Sequence, residues 1–111
     1  MRTAVGRLLG AAGHAWTTFA SAEAVLDSAE VGSADCVITD LNLPTMSGLE
    51  LLRELRWKRD SLPVIVMTAF DRPGLRERML QEGVVAYFVK PFPGNALLDA
   101  IRDLGRLPRS D

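Results

Sequence analysis

Three residues of the chain could carry chemistry together. Asp40, Thr68 and Lys90 each close a run of apolar or β-branched residues: CVITD ending at Asp40, PVIVMT ending at Thr68, and VVAYFVK ending at Lys90. A carboxylate in that position can act as a nucleophile toward phosphorus. A hydroxyl and an ammonium can hold the oxygens of a transferred phosphoryl group. The segment after Asp40, LNLPTMSG, offers backbone carbonyls, such as that of Asn42, to a hard cation. Each residue alone has an ordinary structural reading: a turn carboxylate, a strand-end threonine, a solvated lysine. Three apolar runs, each ended by one of these groups, favour the chemical reading. Lys90 is also one of only two lysines, the other being Lys58.

The elements needed to position these residues can be read along the chain. Val5, Leu8, Leu9 and Ala12 stand at helical spacing, with Gly13 as a stop. His14 to Phe19 reads as a short strand. Ser21 caps a helix over AEAVLDSAE, with Glu23 in its first turn. Cys36 to Asp40 is a continuous apolar strand, which suggests burial on both faces. Leu49, Leu52 and Leu55 form a helix stripe running to about Lys58. Pro63 to Thr68 is a strand, and Asp71 and Pro73 start a helix that Gly83 closes. Val84 to Val89 is a strand. A last helix runs from about Gly94 to Leu104, with Leu97, Leu98, Ile101 and Leu104 inward. Strict alternation of helices and apolar strands predicts an α/β fold, a parallel sheet covered on both faces. Ligand sites in such sheets lie beyond the carboxyl ends of the strands, where Asp40, Thr68 and Lys90 stand.

Composition narrows the function. With 111 residues the chain holds one modest core, and 48% hydrophobic and 24% charged residues are a globular balance. A net charge of −1 gives no electrostatic case for nucleic acid or an anionic membrane. The single cysteine, Cys36, excludes an internal disulfide framework and suits a cytoplasmic location. Cys36, Trp16 and Trp57 read as packing residues, and His14 as a strand or turn residue.

The stretches VITDLNLPTMSGLELL, PVIVMTA and GVVAYFVKPF resemble the receiver domain of two-component response regulators. The nearest subgroup is the receivers followed by a helix-turn-helix domain of the nitrogen-fixation and nitrate-regulator type. The resemblance spans residues 2–105. It implies a flavodoxin-like (CheY-like) doubly wound sheet of order 2-1-3-4-5, a receiver domain over residues 1–105 and a linker stub over 106–111. It implies that Asp40 is the phosphoacceptor of a sensor histidine kinase, that Lys90 contacts the phosphoryl group, and that Thr68 and Tyr87 form the hydroxyl and aromatic switch. It also implies a cis bond between Lys90 and Pro91, and a turn shaped by Pro44 and Gly48. A partner or dimer surface is expected on the helix after Pro73, the last strand and the last helix, with Leu75, Met79, Tyr87 and Arg102 as candidates. The family's metal is Mg²⁺, held by the phosphoacceptor, a backbone carbonyl matching Asn42, and an acidic pair at the end of the first strand.

The chain departs from that pattern at its start. Met1 to Val5 aligns inside the family's first helix, and the first acidic residue is Glu23. The family's first strand and acidic pair are therefore missing, and Mg²⁺ binding is expected to be weak or absent. We expect this to be a shortened form of a longer natural protein, with impaired phosphorylation. An open slot in the sheet would invite the strand at His14–Phe19, or a second copy, to cover it. A phosphorylation-independent interaction module is the alternative. An aspartate-nucleophile phosphatase would want a second aspartate where Asn42 stands.

Overall fold

The computed structural model describes residues 10, 13, 22–28, 35–42, 46–58 and 61–104. The segments read above as a helix over 2–12 and a strand over His14–Phe19, together with Ser21, Pro44 and the 106–111 stub, lie outside them. Within the described residues the order is α1 (Ala22–Asp27), β1 (Val37–Asp40), α2 (Gly48–Lys58), β2 (Val64–Thr68), α3 (Leu75–Gln81), β3 (Ala86–Val89) and α4 (Gly94–Leu104). The strands form one parallel sheet of order β1-β2-β3. This matches the last three strands of the expected flavodoxin-like order.

The central strand shows why the apolar runs are continuous. All five residues of β2 are buried, because it has a strand on each edge and a layer on each face. In β1 only Thr39 is buried, so the expectation of burial on both faces holds for β2 and not for β1. The core joins Val64 and Val66 to Leu51, Leu52 and Leu55 of α2, Met79 of α3 and Tyr87 of β3. Each fully buried aliphatic side chain contributes about 1.5–3 kcal/mol. Trp57, expected to pack, is 87% exposed. It falls on the side of α2 opposite the Leu51–Leu52–Leu55 stripe.

Local signals set the helix ends. Ser47 Oγ accepts the Glu50 N–H at 3.1 Å, and its hydroxyl donates to Glu50 Oε1 at 3.4 Å, which caps α2. Helix α3 starts at Leu75 rather than at Pro73. Gly74 has φ of 83°, a left-handed conformation that a right-handed helix cannot include, so Asp71 and Pro73 belong to the loop before it. Gly83, at φ 107°, closes the helix as read. The Arg56 guanidinium fastens this corner, donating to the carbonyls of Leu62 at 2.5 Å and Gly83 at 2.6 Å. Val85 still donates to the Val64 carbonyl at 2.9 Å, but β3 proper begins at Ala86. No described helix is long and apolar enough to cross a membrane.

Candidate functional site

The sheet register brings the three strand-end residues to one edge. Asp40 stands opposite Met67, and Thr68 opposite Val89, so Lys90 follows directly beside them. Backbone bonds continue past the strands: Leu41 N–H donates to the Met67 carbonyl at 2.7 Å, and Lys90 N–H to the Thr68 carbonyl at 2.8 Å. The Lys90 ammonium forms an ion pair with Asp40 Oδ2. The other carboxylate oxygen, Oδ1, accepts the Asn42 N–H at 3.0 Å. The Asn42 side-chain amide donates to Thr68 Oγ1 at 3.1 Å, and the Phe70 N–H donates to the same oxygen at 3.0 Å. The structure thus unites Asp40, Thr68 and Lys90, and Asn42 joins two of them. The side chains of Lys90 and Asp40 are 15% and 26% exposed, so the pair is partly shielded yet reachable. The Lys90–Pro91 bond is cis, as the resemblance implied. A cleft of about 320 Å³ lies to one side, lined by Leu41, Asn42, Phe70, Arg72, Leu75 and Met79, among others; Asp40, Thr68 and Lys90 are not in its lining.

Gly48 governs the approach of α2 to this edge. A Cβ there would lie 2.8 Å from Leu41 Cα and 2.9 Å from the Asp40 carbonyl oxygen, both backbone atoms. Its N–H donates to the Leu41 carbonyl at 2.8 Å. Gly48→Ala should therefore displace the segment that carries Asp40 and cost about 1–3 kcal/mol, read as a lower urea midpoint at unchanged slope. An unchanged midpoint would mean that the loop yields freely.

Tyr87 is buried, 3% exposed, with its hydroxyl donating to Asp71 Oδ1 at 2.7 Å and the Arg76 guanidinium 5.3 Å from the ring centroid. Burial, and then the bond to the Asp71 carboxylate, push the phenol up from 10.0 to about 12. The folded state favours the neutral phenol, so this contribution to stability is whole below pH 10 and lost as the pH rises toward 12. The urea midpoint should fall across that window and should fall less in Tyr87→Phe. Burial, and then the charge of Asp35, raise the Cys36 thiol to about 12, which makes it no nucleophile at neutral pH.

The expected partner surface needs correction. Leu75 and Met79 are 7% and 1% exposed and, like Tyr87, face the core. Their i, i+4 spacing is the inward stripe of α3. Arg102 is exposed on α4 and pairs with Asp99. Two site contacts were absent from the sequence reading: the Asn42 side chain on Thr68, and Asp71 on Tyr87. The spacing of Asn42 two residues after Asp40 was a signal for the first; nothing local marked the second.

The described residues do not by themselves make up a Mg²⁺ site. No group of three His, Cys, Asp or Glu that could hold a metal occurs among the described residues. Both Asp40 oxygens are already engaged, by Asn42 N–H and by Lys90. The sequence holds no Asp or Glu before Glu23.

The family profile of the response regulator receiver domain matches residues 1–102. The chain is 36% identical over 113 residues to the response regulator protein FleR of Pseudomonas aeruginosa, covering all of this chain and 24% of that protein. It is 36% identical over 107 residues to the transcriptional regulatory protein FixJ of Azorhizobium caulinodans, covering 96% of this chain and 51% of that protein. The chain thus spans a quarter to a half of these relatives. The fold matches the receiver domain of the sensor histidine kinase PA1611 from Pseudomonas aeruginosa, solved with a magnesium ion in its active site cleft. That match has a TM-score of 0.81 at 30% identity and covers 94% of this chain and 88% of that one.

Proposed function

The chain belongs to the response regulator receiver domain family, and from that membership we propose that Asp40 is its phosphoacceptor, charged by a sensor histidine kinase in the cytoplasm. The observation that carries this reading is the ion pair of Lys90 with Asp40 Oδ2, next to a Thr68 hydroxyl held by Asn42. The Asp40 carboxylate oxygen attacks the phosphorus carried by the kinase's phosphohistidine; the new P–O bond forms as the P–N bond breaks, and the imidazole leaves. The Lys90 ammonium is placed to move from the carboxylate oxygen onto the oxygens of the transferred group. The Thr68 hydroxyl can donate to one of those oxygens after giving up its present neighbours. As a receiver domain the chain is a signalling unit and not a classical enzyme. Retention of Asp40, Thr68, Tyr87 and Lys90 in one constellation weighs against a phosphorylation-independent module. The magnesium ion in the active site cleft of the PA1611 receiver belongs to that protein.

The test is the chain preceded by an apolar strand ending in two acidic residues, incubated with acetyl phosphate and Mg²⁺. Intact mass should show one phosphoryl adduct, lost in Asp40→Asn. An adduct that persists in Asp40→Asn, or no adduct at all, overturns the assignment.

A further inference from the structure

We propose that Asp71 is the positioning residue of Tyr87: its carboxylate, on the loop that follows Thr68, holds the phenol inward while Arg76 of α3 covers the ring. The inference rests on the reading of Tyr87 as the aromatic member of a switch, and adds the side chain that holds that ring in this chain. The loop between β2 and α3 is short and fastened in its first half. Thr68 Oγ1 accepts the Phe70 N–H at 3.0 Å, and Asp71 Oδ1, one residue further on, accepts the Tyr87 hydroxyl at 2.7 Å. Tyr87 lies opposite Val66 in the register, so its backbone is fixed by β2 and only its side chain can respond to the loop.

Burial alone is the competing account of the inward ring. Two features favour the carboxylate. A phenol with no partner in a site 3% exposed leaves a donor unsatisfied, whereas an ionised acceptor makes one of the stronger hydrogen bonds. Asp71 is itself exposed, so the bond is made without burying the whole carboxylate. The groups facing the phenol are Asp71, Arg72 and Arg76, the two arginines opposing the carboxylate in their effect on its ionisation. Asp71 begins no helix: α3 starts at Leu75 after Gly74, which leaves Asp71 in the preceding loop.

Tyr87 is the only tyrosine, so a tyrosine-specific signal reports on this contact alone. The experiment uses the full unphosphorylated chain and reads hydroxylamine-reversible acetylation by N-acetylimidazole. Asp71→Ala should acetylate about tenfold faster than the parent, and Arg76→Gln about threefold faster, with unchanged far-UV circular dichroism. Asp71→Asn, which keeps an acceptor and loses the charge, should lie between and should bring the phenolate absorbance midpoint below that of the parent. Asp71→Glu should recover part of the protection. A parental acetylation rate in folded Asp71→Ala overturns the proposal and leaves packing as the sole restraint. Should Asp71→Ala not fold, an unmoved phenolate midpoint in Asp71→Asn overturns it instead. None of these signals needs a phosphoryl group, so failure here is distinct from failure of Asp40 to be labelled.

Discussion

Acetyl phosphate and Mg²⁺ should leave the intact mass of the 111-residue chain unchanged over a period in which the strand-extended chain becomes labelled at Asp40. The reason is charge. An anionic phosphoryl donor must approach an anionic carboxylate, and two unit charges about 4 Å apart near a protein surface repel by about 4 kcal/mol. That amounts to about a thousandfold in rate. Lys90 is the cation placed on Asp40, and it already neutralises the carboxylate rather than the donor. A divalent ion would supply the missing charge, but Mg²⁺ is bound through carboxylates and retained waters. The described residues hold no cluster for it, and the sequence has no carboxylate before Glu23. Two acidic residues added upstream should supply both a metal site and the labelling. A phosphoryl adduct on the 111-residue chain that vanishes in Asp40→Asn would show instead that Asp40, Lys90 and Thr68 suffice, and the charge argument would fall.

The strand-end residues were legible because composition and position coincide there. An apolar run that stops at a carboxylate, a hydroxyl or an ammonium marks both the strand and the place where it ends, and the register of β1, β2 and β3 brings all three residues together. Leu75 and Met79 were misjudged for an instructive reason. Their i, i+4 spacing is a core stripe, yet family likeness placed them on a surface, and the packing sides with the spacing. Asp71 was legible only as a possible helix start. The positive φ of Gly74, which excludes that role, is a backbone property decided by the turn as a whole and not by the residues Asp71 and Pro73 alone. The Asn42–Thr68 and Asp71–Tyr87 bonds join residues 26 and 16 positions apart. Periodicity carries no information about such pairs.

Lys90→Met in the strand-extended chain should lower the rate of Asp40 labelling about a hundredfold while leaving the fold in place. Loss of a single preorganised group that stabilises developing charge costs about a hundred- to a thousandfold in comparable sites. Methionine keeps most of the aliphatic stem, so packing beside Asp40 changes little. The backbone of residue 90 is held independently of the side chain, by its N–H on the Thr68 carbonyl at 2.8 Å. Removing the ammonium does leave the Asp40 carboxylate without its cation. That carboxylate remains 26% exposed and keeps the Asn42 N–H, so the loss lies near the low end for ion pairs, about 1 kcal/mol. For a domain of this size such a loss lowers the melting temperature by about 4–8 °C. A large kinetic effect with a small thermal one would separate the role of Lys90 in transfer from any role in holding the sheet edge together. If labelling survives within about tenfold of the parent, Lys90 serves chiefly to neutralise the resting carboxylate, and the positive charge needed in the transfer must come from elsewhere.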